Sequence, residues 1–188
     1  IHTMDSPYIV ILAALLPVAV LLFYIYRRDK YEKEPVREIL KGVGYGVLSV
    51  CVTFVLIEII DATGLPALTA GLVSGEVNYA FWGAAIPEEL AKLLMLCFFL
   101  RKNRHFDEHV DGIVYAVAVS MGFAAVENIL YLFQNYDNWV GVGIARAIFS
   151  VPGHFAFAVF MGYYYALYRF APPGRKAADL LLAWLVPT

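Results

Sequence analysis

The chain has 188 residues, of which 61% are hydrophobic and only 16% are charged, and its mean hydropathy is +0.68. A soluble globular domain carries about 25% charged residues, so this composition excludes an ordinary soluble enzyme. The net charge of −2 says little, because the distribution of charge across loops matters more than the sum, and no stretch indicates a nucleic-acid surface. Several apolar runs of about 18 residues or more follow one another, which is typical of membrane-spanning helices. The sequence therefore predicts an all-α, polytopic transmembrane helix bundle that resides in a lipid bilayer.

Five apolar runs are long enough to cross a bilayer, and no long soluble linker separates them. A single transmembrane domain over residues 1–188 is therefore predicted, with residues 1–3, before Met4, interpreted as a cloning remnant. A sixth run, from about 177 to 188, is too short to cross a hydrocarbon core of about 30 Å. We expect at least five full spans plus a last helix within which the chain as given stops. The predicted spans are residues 7–26, 42–60, 77–100, 112–133 and 140–168.

The distribution of basic residues predicts the orientation of the bundle. Lysine and arginine cluster after the first, third and fifth spans and are absent from 61–76 and 134–139. Loops rich in lysine and arginine stay in the cytoplasm. The N-terminus is therefore predicted to lie on the extracytoplasmic side of the membrane.

Three ionisable side chains from three different spans are predicted to share one depth in the membrane. Glu88 lies in the third span, Glu127 in the fourth and His154 in the fifth. Counted at about 1.5 Å per residue from the cytoplasmic boundary of each span, taken as its basic flank or as Gly112, each lies roughly 20–22 Å into the bilayer. Ionisable groups at such depth are costly and usually functional. Their common level indicates a single site.

The stretch Glu88-Glu89-x-x-Lys92 places two adjacent carboxylates and an amine within the third span. Neighbouring helical residues point about 100° apart, so the two carboxylates cannot face the same way. Lys92 lies four residues after Glu88 and can pair with it. In one interpretation Lys92 neutralises Glu88 while Glu89 acts as a base, and in another the two glutamates exchange these roles. The structural alternative is an ion pair that only joins helices.

Other polar groups are expected to support this site. Asn128, next to Glu127, is interpreted as a structural hydrogen-bond donor. Arg146 is expected to pair with Glu127 or Glu76, or to extend toward the membrane surface.

Prolines accompany the ionisable residues in the third and fifth spans. Pro152-Gly153 should break or kink the fifth helix beside His154, and broken backbone at this depth is tolerated where it lines a cavity or is buried. Pro87 is expected to loosen the turn that presents Glu88 in a similar way.

Carboxylates and a histidine in a membrane cavity can activate water, with a glutamate as base and a histidine or lysine beside the oxyanion. The Gly-x-Ser-x-Gly pattern and the His-Glu-x-x-His zinc pattern are both absent from the sequence. A zinc ion held by glutamate and histidine from separate helices is the alternative.

The ordered set Glu88-Glu89-x-x-Lys92, Phe123-x-x-x-Glu127-Asn128 and His154 resembles the PrsW family of intramembrane proteases, as does Asp111-Gly112-Ile113-Val114-Tyr115. That family is similar to a larger group that contains the CAAX prenyl endopeptidases and a scaffold subunit of gamma-secretase. The resemblance implies a multi-pass protein of the bacterial inner membrane. It also implies cleavage of single-span substrates, typically anti-sigma factors, at the extracytoplasmic side as the first step of regulated proteolysis. A further polar motif in a later helix would be expected beyond the end of this sequence.

The sequence thus predicts an intramembrane peptidase with glutamate-activated water and a single-span membrane protein as its partner. No cofactor and no metal ligand are expected, with zinc as the alternative. A non-catalytic scaffold and a small transporter are the rival functions, although no inverted repeat supports the transporter. The predicted catalytic residues are Glu88, Glu89, Glu127 and His154, and the predicted supporting residues are Lys92, Asn128 and Arg146.

Overall fold

The computed structural model describes residues 6–29, 33–172 and 174–188, and all regular structure within these ranges is helical. The predicted all-α bundle is therefore confirmed. The interpretation of residues 1–3 as a cloning remnant falls outside the described residues. The helices are α1 (Pro7–Arg28), α2 (Val36–Ala62), α3 (Leu65–Thr69), α4 (Gly75–Tyr79), α5 (Ile86–Leu100), α6 (His109–Gln134), α7 (Trp139–Ala145), α8 (Val151–Phe170) and α9 (Lys176–Leu185), with π-helical segments at Ala80–Ala85 and Arg146–Ser150 and a 3₁₀ turn at Tyr136–Asn138.

Four helical stretches of the described chain are long and apolar enough to cross a membrane, and they match four of the five predicted spans. The remaining prediction, 77–100, corresponds to α4, the π-helical segment and α5, which follow one another without a break. This run is not among the four apolar stretches, because every segment of membrane-spanning length within it contains three charged residues, Glu88, Glu89 and Lys92. The predicted short last helix is the ten-residue α9. The four stretches are Pro7–Arg28, Val36–Ala62, His109–Gln134 and Tyr136–Phe170.

Helix α6 is the centre of the bundle. In its apolar stretch 67% of the residues are buried within the protein, against 17% to 22% in the other three spans. Helices α1, α2 and α8 pack around it. Because α6 is surrounded by protein, its polar side chains can face neighbouring helices instead of lipid, which is the condition for a site at this depth.

Small residues let α6 approach its neighbours closely. A Cβ atom added at Gly46 of α2 would overlap the carbonyl oxygen of Val119, and one added at Gly122 would overlap the carbonyl oxygen of Val43. Backbones that approach this closely in membranes rely on such small residues. Gly46 and Gly122 therefore set the point at which α2 and α6 cross.

Glu34, at the end of the loop that leads into α2, is buried and accepts a hydrogen bond from the hydroxyl of Tyr115. Its backbone N–H donates to Oδ2 of Asp29 at 3.3 Å. Burial raises the pKa of the Glu34 carboxyl from 4.5 to about 8. Glu34 is thus attached to the N-terminal part of α6 through Tyr115, by a carboxyl group that folding favours in its protonated form.

The glycine crossing predicts that Gly46→Ala destabilises the bundle by about 1–3 kcal/mol, because the added methyl group meets backbone that cannot move aside. Gly44→Ala is the matched control on the same helix, since a Cβ there meets nothing within 4 Å. Thermal unfolding in detergent should show a lower midpoint for the Gly46 variant only. Equal midpoints for the two variants would contradict the close crossing.

Glu34 predicts a pH-dependent stability. A carboxyl whose pKa is raised on folding stabilises the fold at low pH, and this stabilisation is lost as the pH rises from 4.5 to about 8. The unfolding midpoint of the native chain should therefore fall between about pH 5 and about pH 9. The unfolding midpoint of the Glu34→Gln variant, which keeps an acceptor for Tyr115, should fall less over the same pH range. Parallel pH profiles for the two proteins would refute this account.

Candidate active site

Glu88 of α5, Glu127 of α6 and His154 of α8 meet inside the bundle. One ligand atom from each of the three side chains lies within 4.8 Å of the other two. Nε2 of His154 lies 2.8 Å from Oε2 of Glu127. The three residues, which the sequence predicted to share one depth in the membrane, therefore lie together in the structure. We call them the Glu88–Glu127–His154 cluster.

Two π-helical segments bring side chains into this cluster. The segment Ala80–Ala85 ends at Ile86, whose N–H donates to the carbonyl five residues earlier, and Arg146–Ser150 ends at Val151 in the same way. In each case proline is the next residue, at the second position of α5 or α8. A π-helical turn is a frequent feature of functional sites. Of the predicted break or kink at 152–153, the break is wrong, because the backbone stays helical and widens before the proline, which lacks a donor.

Lys92 joins all the acidic groups of α5 to the histidine. Its Nζ lies 2.8 Å from Oε1 of Glu89, 3.4 Å from Oε2 of Glu88 and 3.1 Å from Nδ1 of His154. It also lies 4.1 Å from the centre of the Phe123 ring. The side chain is 0% exposed, so Lys92 cannot touch a substrate. Its position is that of a buried counter-charge.

The two adjacent glutamates occupy different environments. Glu89 is buried beside Lys92, whereas Glu88 lines a cavity together with Glu127. Of the two roles that the sequence left open, the geometry therefore gives contact with the cavity to Glu88 and pairing with Lys92 chiefly to Glu89.

Lys92 also fixes the proton on His154. An ammonium can only donate hydrogen bonds, so Nδ1 of His154 accepts from Lys92. The ring proton is then on Nε2, which donates to Oε2 of Glu127. This assignment follows from the hydrogen-bond partners of the ring.

Arg146 donates to the same carboxylate oxygen of Glu127 that faces His154. Its terminal nitrogen lies 2.7 Å from Oε2 of Glu127, and its Nε donates to Oδ1 of Asn128 at 2.7 Å. Asn128 in turn donates to the carbonyl of Ala14 in α1 at 3.0 Å. The guanidinium group also lies 4.2 Å from the ring centre of Tyr131. Among the partners predicted for Arg146, the structure shows Glu127, and Asn128 makes the structural contact expected of it.

A cavity of about 290 Å³ opens beside the cluster, between α2 and α6. The sequence placed Glu88 and Glu127 and named Phe123 as part of the motif around Glu127, but Tyr131, Thr53 and Tyr79 were missed. Positions four residues before and after Glu127 share its helical face, which was the available signal for Tyr131. No comparable signal marked Thr53 or Tyr79, which reach the cavity only through tertiary packing.

The donor set of the cluster is chemically suited to a divalent cation, because two carboxylates and an imidazole are common zinc ligands. A histidine that binds metal through Nε2 carries its proton on Nδ1 and donates it to an acceptor. Lys92 occupies the place of that acceptor. Binding of a cation at Nε2 therefore requires Lys92 to turn away from the ring or to lose its proton.

The buried charges predict a strong coupling between Lys92 and Glu89. Lys92→Met leaves the Glu89 carboxylate buried without its partner, and loss of one member of a buried ion pair costs about 3–5 kcal/mol. The double variant Lys92→Met/Glu89→Gln should recover most of that loss. Thermal unfolding of the two variants measures the coupling, and a double variant as unstable as the single one would contradict it.

Comparison with known proteins shows which family the sequence matches. The profile of a family described as "PrsW family intramembrane metalloprotease" matches residues 34–188. "Protease PrsW" of Geobacillus kaustophilus (strain HTA426) is 39% identical over 164 residues, which covers 87% of this chain and 68% of that protein. The proteins of the same name from Clostridioides difficile (strain 630) and Bacillus subtilis (strain 168) are 34% and 32% identical, covering 94% and 95% of this chain and 73% and 78% of their own lengths.

No solved structure matches the chain. The family match covers most of the described helices, including those that carry the Glu88–Glu127–His154 cluster. The relatives are themselves proteases by name and are similar over nearly the whole chain. The chain is thus a multi-pass membrane peptidase that belongs to the PrsW family of intramembrane proteases.

Proposed function

We propose that this peptidase hydrolyses a peptide bond in single-span membrane proteins, with anti-sigma factors as the substrate class, by means of water activated by Glu88. The observation that carries the proposal is the convergence of Glu88, Glu127 and His154 beside a cavity between membrane-spanning helices. The resemblance of the sequence motifs to the PrsW family supports the substrate class.

Glu88 acts as the general base. It lines the cavity, so a water molecule there lies within reach of its carboxylate. The water transfers one proton to Glu88 while its oxygen forms a bond to the carbonyl carbon of the scissile peptide. Glu88 then returns the proton to the amide nitrogen as the C–N bond breaks, which gives a new carboxyl end and a new amine end.

His154 and Glu127 act beside the reacting carbonyl. The Nε2–H of His154 points toward the cluster and donates to Glu127 in the resting state. When the carbonyl oxygen becomes an oxyanion, the same N–H can donate to it, and such donors stabilise the tetrahedral intermediate. Glu127, held by Arg146, orients the imidazole. Lys92 balances the charge of Glu89 and lies next to Glu88, so it tunes the base without contacting the substrate.

A divalent cation such as zinc would be held by Glu88, Glu127 and His154. When bound, such an ion lowers the pKa of its water and polarises a carbonyl group. In that case Glu88, Glu127 and His154 would serve as ligands, whereas without a cation Glu88 is the base and His154 is the oxyanion donor.

The protein is proposed to reside in the bacterial inner membrane with its N-terminus on the extracytoplasmic side. Arg27 and Arg28 end α1, Arg101 follows α5 and Arg169 lies in the last turn of α8. The rule that basic loops remain in the cytoplasm supports this orientation. The cluster then lies in the central or outer part of the membrane, where a site-1 type cleavage takes place.

The proposal predicts that Glu88→Gln and His154→Ala each lower the cleavage rate by about 10²- to 10⁴-fold, because each removes a group that takes part in proton transfer or oxyanion binding. The measurement is cleavage of a purified single-span anti-sigma-like protein in liposomes. Glu58→Gln, at an exposed position on α2, is the control and should cleave normally. Cleavage at the native rate by folded Glu88→Gln protein would contradict the proposed role of Glu88.

The same assay separates the two means of water activation. Cleavage that survives a strong chelator assigns the activation to Glu88 alone, whereas cleavage that is lost and then restored by zinc assigns Glu88, Glu127 and His154 to the ligand role. A stable complex with the substrate but no turnover under either condition would favour the scaffold function.

A further inference from the structure

The cavity beside the cluster is one end of a cleft between α2 and α6, and it begins where these helices cross. The two helices run in the same direction, since Gly42 lies against Ala118 and Gly46 against Val119 and Gly122. Beyond this crossing, the lining residues of each helix continue along one face. They are Val50, Thr53, Phe54 and Ile57 of α2 and Phe123, Glu127, Leu130, Tyr131 and Gln134 of α6.

The cleft has a closed inner end and an open outer end. Phe123 and Thr53 are 3% and 6% exposed, whereas Leu130 and Tyr131, about two turns further along α6, are 41% and 44% exposed. Val50 is the lining residue of α2 nearest to the crossing, and Phe123 has the same place on α6. The inner end is therefore bounded by Val50, Thr53 and Phe123.

The surfaces of this inner end are apolar. The hydroxyl of Thr53 donates to the carbonyl of Ser49 in its own helix at 3.0 Å, so its polar atom is already engaged. Phe123 packs edge-on against His154, with 5.7 Å between the ring centres. The carboxylates of Glu88 and Glu127 line the same cavity. An apolar recess is thus immediately adjacent to the reacting groups.

The cavity has a volume of about 290 Å³, and its lining combines the apolar residues of the inner end with Glu88 and Glu127. A substrate side chain that enters the inner end is therefore next to the reacting groups.

We propose that the recess formed by Val50, Thr53 and Phe123 is a specificity pocket that binds a large apolar side chain flanking the scissile bond. This inference rests on the proposed function, since it assigns a substrate preference to the same site. The pocket selects by size, because its closed end is formed by helices whose backbones are in contact at the glycine crossing. Leucine or phenylalanine fills such a recess, whereas alanine leaves it partly empty.

The test uses the full chain in liposomes and a single-span substrate whose cleaved bond is first mapped by mass spectrometry. Alanine, leucine and phenylalanine are then placed in turn at each of the two residues that flank this bond. A hydrophobic pocket discriminates by about 10- to 200-fold per methylene. The native chain should therefore prefer leucine over alanine at one flanking position by at least about 10-fold in kcat/KM.

Variants at Val50 then change the size of the pocket. Val50→Phe should lower the leucine-to-alanine preference by about 10-fold or more, and Val50→Ala should shift the preference toward phenylalanine. Val55→Phe is the matched control, because it makes the same change at a position that is 58% exposed on the same helix. It should leave the preference unchanged.

The outcomes separate this inference from the proposed function. Failure of the native chain to cleave any single-span substrate would overturn the proposed function and with it this inference. Cleavage with a side-chain preference that neither Val50 variant alters would overturn only the assignment of the specificity pocket. The recess would then be a site of contact with lipid or between helices. Since Val50→Ala only removes atoms, it keeps the test decisive even where Val50→Phe fails to fold.

Discussion

The buried ammonium group of Lys92 is the interaction on which the site depends. It is shared among Glu89, Glu88 and Nδ1 of His154, so three groups that would each be costly in the membrane interior are placed around one counter-charge. A charged group transferred out of water needs a partner and further hydrogen bonds. Lys92 supplies both, and it also determines which nitrogen of His154 carries the proton. The same ammonium group thus offsets the charge of the glutamates and determines the position of the proton on His154.

The backbone supplies the geometry that the charges need. Two π-helical segments, Ala80–Ala85 and Arg146–Ser150, directly precede α5 and α8, the helices that carry Glu88 and His154. A wider turn changes the direction in which the following side chains point, and it accommodates the missing donor of the next proline. The glycines on α2 and α6 then bring these helices into contact, which leaves the cleft beyond their crossing as the space beside the carboxylates.

The sequence predicted much of this arrangement because membranes restrict the available structures. The all-helical fold and the limits of the long spans follow from apolar run length, and the common depth of Glu88, Glu127 and His154 follows from the constant rise of a helix. The environments of the adjacent glutamates could not be predicted, because both orientations satisfy the spacing to Lys92. The π-helical form of the turns was also missed, since a proline is compatible with a kink, a break or a widened turn.

The origin of the cluster in three separate helices has a consequence for biosynthesis. Glu88 is carried by α5, Glu127 by α6 and His154 by α8, so a growing chain that has inserted only as far as α6 contains both carboxylates but lacks the imidazole. The cluster is therefore complete only when α8 packs against α6 and brings His154 to Lys92 and Glu127. Under the proposed function, the order of insertion delays the assembly of the site, and a nascent chain that lacks α8 is not expected to cut neighbouring membrane proteins.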